Sequence, residues 1–179
     1  MSDFPEFNKF GKIARLNREV VITEKLDGTN AQIHIEGGNI YAGSRNKWIT
    51  AEKDNYGFAK WVEDNKEELI KLGEGTHYGE WYGAGIQRRY GLQEKRLALF
   101  NTHRWSDADV RPTCCEVVTV LYQGLFSKLE IDQTVENLRD FGSVHVKGFD
   151  DPEGVVVFHT HSGNLFKVTC KNDEKPKGG

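Results

Sequence analysis

The β-branched run Val20–Thr23 stops at a lysine, Lys25, and the chain turns at once through Leu26-Asp27-Gly28. β-Branched side chains are stiff at χ1 and favour a pleated strand, while glycine allows the tight reversal. The next segment has period two: Ala31-Gln32-Ile33-His34-Ile35 alternates apolar and polar residues, as a half-buried strand does. Gly37-Gly38-Asn39 then turns the chain into a partner strand at Ile40–Ser44, which makes a hairpin. A chain that begins this way builds sheet, and it holds a lysine at a strand end.

Helical character is confined to two later segments. Residues 51–72 place Phe58, Ala59, Val62, Leu69 and Ile70 near one helical face, with Gly73 as the stop. Ile131–Phe141 reads as an amphipathic helix closed by Gly142. Strands are predicted at Thr76–Trp81, Arg96–Asn101 and Glu116–Tyr122, then at Gly154–Thr160 and Asn164–Cys170 around the turn His161-Ser162-Gly163. No repeat, low-complexity tract or linker divides the chain, so residues 1–172 are expected to form one domain and residues 173–179 a frayed basic tail. Strands so far apart in sequence must converge. The expected fold is α+β, with antiparallel sheets forming a central cleft flanked by helices.

Bulk properties narrow the function. At 179 residues the chain can bury a core of one domain's size. No apolar run approaches the length of a membrane span, and the amino terminus shows no signal-peptide pattern. Three cysteines, two of them adjacent at Cys114 and Cys115, offer neither a disulfide framework nor zinc-ligand spacing. The expected compartment is a reducing cytoplasm. A net charge of −3 argues against a blanket nucleic-acid coat but leaves room for local basic clusters. One comprises Arg88, Arg89, Lys95 and Arg96, and another Lys167, Lys171, Lys175 and Lys177. The histidines show no catalytic or metal-binding spacing, and His159 and His161 read as surface residues. The tryptophans read as packing groups, with Trp48 beside Lys47 as a candidate RNA contact.

A lysine amine is nucleophilic only when neutral, so a reactive lysine needs surroundings that lower its pKa. Lys-x-Asp-Gly alone turns up by chance in roughly one chain in twenty-five of this length. Five further segments raise its weight. They are Ser44-Arg45-Asn46, Tyr78-Gly79-Glu80-Trp81-Tyr82-Gly83, Leu97-Ala98-Leu99-Phe100-Asn101, Glu153-Gly154-Val155-Val156-Val157 and Phe166-Lys167-Val168-Thr169-Cys170-Lys171-Asn172. In this order, and across residues 3–177, they resemble the motifs of the covalent nucleotidyltransferases, the polynucleotide ligases and capping enzymes. Glu-Lys-x-Asp-Gly-Thr-Asn and the ending Lys-Asn-Asp-Glu-Lys are most similar to the RNA ligases.

The resemblance implies a role for each motif. Lys25 is the nucleophile that takes AMP from ATP, and Glu24 and Asn30 belong to the same nucleotide-binding motif. Arg45 is a phosphate or ribose contact, Glu80 a ribose contact, Phe100 the ring that stacks on the base, and Val156 the residue on the base's opposite face. Lys167 and Lys171 are the cations for the α-phosphate. The family's last motif usually reads Lys-x-Lys, and here Thr169 stands between the two lysines, so either lysine can hold one of the two places. An unbroken strand would carry positions 167, 169 and 171 on one face. Asp27 and Glu153 are the pair assigned to a divalent metal, Mg2+ or Mn2+, held partly through water.

The function these expectations describe is an ATP-dependent RNA ligase-like nucleotidyltransferase acting on RNA with 5′-phosphate and 3′-hydroxyl ends. Relatives commonly carry a further domain after the last lysine motif, so an accessory domain or protein is expected to supply part of the RNA grip. The alternatives are a DNA nick ligase, a capping-type guanylyltransferase, or a non-catalytic nucleotide- or RNA-binding domain.

Overall fold

The computed structural model describes residues 3–174, so Lys175 and Lys177 of the carboxyl-terminal basic cluster lie outside the described residues. Ten strands run β1 Glu19–Lys25, β2 Thr29–Glu36, β3 Asn39–Gly43, β4 Trp48–Ile49, β5 Gly75–Gly83, β6 Lys95–Leu99, β7 Cys115–Val117, β8 Val120–Leu125, β9 Gly154–His159 and β10 Leu165–Thr169. They form a four-stranded sheet in the order β10-β9-β1-β8 and a six-stranded sheet in the order β4-β3-β2-β5-β6-β7. Every pairing is antiparallel except β6 with β7 at the edge of the larger sheet. The α+β expectation is met.

Each sheet buries one face. In the larger sheet Ala31, Ile33, Trp81, Leu97 and Leu99 point to a core shared with Phe58, Ala59, Val62, Leu69 and Leu72. Those partners come from three short helical turns, α1 Phe58–Asp64, α2 Lys66–Leu69 and a 3-10 turn Ile70–Leu72. The helical character read over 51–72 begins at Phe58 and is interrupted at Asn65, which closes α1 and opens α2. In the smaller sheet Val20, Ile22, Val155 and Val157 pack on Val135 and Leu138 of α4 Lys128–Phe141. Ser127 caps α4, its hydroxyl accepting the Glu130 N–H. A short α3, Thr102–Trp105, bridges β6 and β7.

The predicted strand Glu116–Tyr122 is two strands in different sheets. β7 lies beside β6, and β8 beside β1, so the segment 115–125 crosses from one sheet to the other. The β1–β2 turn makes the same crossing at Leu26-Asp27-Gly28. A third apolar cluster, Leu26, Tyr82, Tyr90, Ala98, Val118 and Val146, fills the space where the two crossings meet. Beside this cluster, on the sheet faces opposite the two main cores, lie the residues of the candidate site.

Candidate active site

Alternation along β1 sends Val20, Ile22 and Glu24 to the core side and Thr23 and Lys25 to the cleft. Lys25 pairs with Gly154 of β9, which pairs with Thr169 of β10. At Gly154 φ is +154°, and a Cβ there would lie 2.2 Å from the Val168 carbonyl oxygen, so only glycine fits. Glu153, just before it, is buried at 6% exposure and accepts a hydrogen bond at Oε2 from Lys25 Nζ at 3.0 Å.

The turn after Lys25 passes hard against β5. A Cβ on Gly28 would stand 2.2 Å from the Trp81 carbonyl oxygen, and the Gly28 N–H donates to Glu80 Oε2 at 2.9 Å. With the Asn30 amide oriented to satisfy both neighbours, it donates to Glu80 Oε1 at 3.1 Å and accepts from Arg45 Nε at 3.0 Å. Glu80 thus sits at the centre of a chain from Gly28 to Arg45. Burial pushes its carboxyl up to about 7; the Gly28 N–H and Lys25 pull it down, and Glu153 and Asp27 add to the rise. Lys25, Asp27, Glu80 and Glu153 therefore share one electrostatic environment.

Arg88 and Tyr90 complete the site from the loop between β5 and β6. Arg88 Nη1 donates to Asp27 Oδ2 at 2.5 Å, and its Nε lies 3.6 Å from Asp151 Oδ2, buried and without a hydrogen bond. The Tyr90 hydroxyl accepts the Asp27 N–H at 2.6 Å, and burial raises the phenol's pKa. Gln87, Arg89 and Tyr90 all have positive φ, 45°, 64° and 55°, an uncommon density of left-handed residues outside glycine. A closed circuit results. Lys25 and Asp27 are two residues apart, as are Asp151 and Glu153; Lys25 joins Glu153, and Arg88 joins Asp27 to Asp151.

The shifted lysine motif divides. Lys167 pairs with Val156, which pairs with Thr23, so Lys167, Val156, Thr169 and Lys25 lie on one face of the sheet. Lys171 is not on that face, because β10 ends at Thr169. The Thr169 N–H donates to Asp173 Oδ1 at 2.8 Å and its hydroxyl to the Lys171 carbonyl at 2.9 Å, and Asn172 has φ +57°. The chain curls away, and the exposed Lys171 pairs with Asp151 at 2.9 Å, holding that carboxyl below the usual range. The expectation of 167, 169 and 171 on one face is corrected accordingly.

Glu24 is likewise not brought to the cleft. It lies on the core side of β1, 1% exposed, accepting from the Ser143 hydroxyl at 2.6 Å and the Val144 and His145 N–H groups at 2.7 and 3.1 Å. Its carboxylate braces the segment after α4. Phe100 stands on the same face of the larger sheet as Glu80, because its N–H bonds to the Tyr78 carbonyl at 3.0 Å and continues the pairing of β6 with β5. It is 44% exposed, an orientation open to a base. His159, expected at the surface, is buried at 4%, with Nδ1 on Ser162 Oγ and Nε2 on the Leu16 carbonyl.

Among the described residues no three His, Cys, Asp or Glu side chains converge closely enough to cage a metal. Asp27 and Glu153 each already face a protein cation. That donor set suits a hydrated ion held through its waters rather than direct coordination. Three site residues carried little sequence signal. Arg88 was one of a basic cluster, while nothing pointed to Tyr90 or Asp151.

The RNA ligase family model matches residues 18–169. The chain belongs to the RNA ligase family. Solved structures of similar fold include three forms of Naegleria gruberi RNA ligase. A mutant with ATP and Mn is 20% identical (TM-score 0.62), over 86% of this chain and 49% of that one. A mutant with AMP and Mn is 18% identical (TM-score 0.64), over 93% and 57%. The form with pyrophosphate is 20% identical (TM-score 0.58), over 93% and 57%. The chain thus spans about half the length of these structures. No curated protein matches it. Among the described residues no helix is long and apolar enough to cross a membrane.

Proposed function

We propose that this chain carries the nucleotide-transfer chemistry of an ATP-dependent RNA ligase, with Lys25 as the nucleophile. The observation that carries the reading is the placement of Lys25 at a strand end, 3.0 Å from Glu153 and in the same charged environment as Glu80. Lys25 Nζ sheds a proton, for which Glu153 Oε2 is the nearest acceptor, and attacks the α-phosphorus of ATP. The P–N bond forms, the bond to the β-phosphate's bridging oxygen breaks, and pyrophosphate leaves. AMP then passes to an RNA 5′-phosphate, and an RNA 3′-hydroxyl attacks that phosphate, sealing the strands and releasing AMP.

Each remaining residue has work on this path. Lys167, on the Lys25 face of its sheet, would meet the α-phosphate, and Glu80 would accept from a ribose hydroxyl. Phe100 and Val156, on the facing sheets, bracket the base, and Arg45 is held by Asn30 for a phosphate or ribose contact. Asp27 and Glu153 would hold a hydrated Mg2+ or Mn2+, which supplies charge neutralisation on the triphosphate.

Intact mass after incubation with ATP and a divalent ion, followed by ligation assays on several end types, tests the reading. An AMP adduct is expected on the native chain and none on Lys25→Ala, with the fold of the variant retained. An adduct of equal yield on Lys25→Ala would overturn the assignment. Labelling by GTP instead of ATP would favour capping chemistry, and sealing of DNA ends alone a DNA nick ligase. Nucleotide binding without any adduct would leave a binding domain.

A further inference from the structure

The open face of the six-stranded sheet continues well past the nucleotide residues, and it is aromatic. Tyr78 on β5 lies beside Phe100 and pairs with Gln32 of β2; Gln32 pairs with Gly43 of β3, and Gly43 with Trp48 of β4. These positions share a face with Glu80 and Asn30, two residues along their strands. His34 and Tyr41, directly paired, form the next row on the same face. Tyr78, Trp48 and Tyr41 are 57%, 60% and 46% exposed. His34, Tyr41 and Trp48 form a cluster with ring centroids 6.0–6.3 Å apart. From Phe100 to Trp48 the platform crosses four strand spacings, about 19 Å.

Exposed rings of this number are unusual on a sheet face, since apolar surface left open has a free-energy cost that a ligand relieves. The charges nearby select the ligand. Arg45 and Lys47 flank Trp48 at the β3–β4 turn, and with Gln32, Asn46 and Trp48 they line a surface depression. Exposed rings on a sheet face with cations at their edge suit unpaired bases, which stack, and their phosphates, which pair with the cations. A duplex hides its base faces and would leave the rings unused.

We infer that this face is the docking surface for an unpaired RNA segment, running from the nucleotide site across Tyr78 to Trp48 and Tyr41. The inference rests on the RNA ligase reading and extends it to the form of the substrate. It separates gripping RNA from transferring AMP, because neither Trp48 nor Tyr41 touches Lys25, Glu80 or Glu153.

The test is the double substitution Trp48→Ala/Tyr41→Ala, read by anisotropy of a labelled, 5′-phosphorylated unstructured oligoribonucleotide and by AMP-adduct formation without RNA. RNA affinity should fall at least tenfold, the loss expected from removing a stacking partner, while adduct formation stays at the native rate. Trp48→Phe/Tyr41→Phe, which keeps both rings, should bind RNA as the native chain does. Trp81 and Trp105 are buried and Trp61 packs against the core, so quenching of native tryptophan fluorescence by the oligonucleotide should be lost in Trp48→Phe. Unchanged RNA affinity in the alanine variant would overturn the inference. So would native preference for a blunt duplex, or altered self-association with RNA binding intact, which would assign the face to a second copy. If the native chain forms no adduct, the ligase reading fails instead, and the affinity comparison still decides the surface.

Discussion

Lys25 and Glu153, 3.0 Å apart, form an ion pair that must open before the amine can react. The two candidate cations for the α-phosphate in the proposed mechanism are not equivalent. Lys167 is on the Lys25 face, whereas Lys171 is committed to Asp151 outside it. Lys167→Ala should raise the barrier to adduct formation by about 2–3 kcal/mol, the scale of one preorganised donor. Lys171→Ala should have an effect of about 1 kcal/mol or less, as for an exposed ion pair. Single-turnover rates with ATP check both, and equal losses would return Lys171 to the pocket. Glu80 carries a pH signature. Its folded pKa of about 7 lies above the ordinary 4.5, so its stabilising contribution is complete below 4.5 and is lost as pH rises through about 7. The melting temperature of Glu80→Gln should therefore gain on the native chain between about pH 5 and about pH 8. A gap that stays constant over that range would show that Glu80 is ordinary.

The β5–β6 loop is the element that holds the site's geometry. Left-handed backbone at Gln87, Arg89 and Tyr90 is kept only because the surroundings over-determine it, and the loop delivers both Arg88 and Tyr90 to Asp27. Arg88 is the second tie between segments 25–27 and 151–153, the one that persists when Lys25 leaves Glu153. Arg88→Gln is expected to slow adduct formation about 10–100-fold, the effect of misplacing reacting groups, with little change in KM for ATP. Asp151→Asn should add nothing further in that background, because both changes cut the same tie. Additive losses in the double variant would show two independent roles.

For the molecule as a whole, the proposed nucleotide site is shared between two sheets that bury separate cores. On that proposal a nucleotide would contact Lys25 and Val156 on one sheet and Glu80 and Phe100 on the other. An ATP analogue with a non-cleavable α,β-linkage should therefore raise the melting temperature as mass action requires. Hydrogen exchange should slow in both β9 and β5. Protection limited to one sheet would mean that the nucleotide does not span the cleft.

Local chemistry explains which features were legible in the chain alone. Val20–Thr23, the Gly37-Gly38-Asn39 hairpin and the α4 pattern follow from propensity and period, which act within a few residues. The proposed roles of Lys25, Asp27, Glu80, Phe100 and Glu153 could be read from the order of motifs that the chain shares with the RNA ligases. Whatever depended on pairing was not. Residues 115–125 look like one strand and serve two sheets, because their partners β6 and β1 are remote in sequence. Glu24 and Lys171 carry the right chemistry in the right motif, yet strand parity turns one to the core and the Thr169–Asp173 hydrogen bonds curl the other away. Arg88 and Tyr90 reach Asp27 only because a strained loop carries them there, across separations of 61 and 63 residues, and Asp151 joins them through Arg88. Order along the chain by itself determined the family and the chemistry proposed for it; which groups meet was decided by sheet register and loop closure, since those depend on contacts that no local pattern encodes.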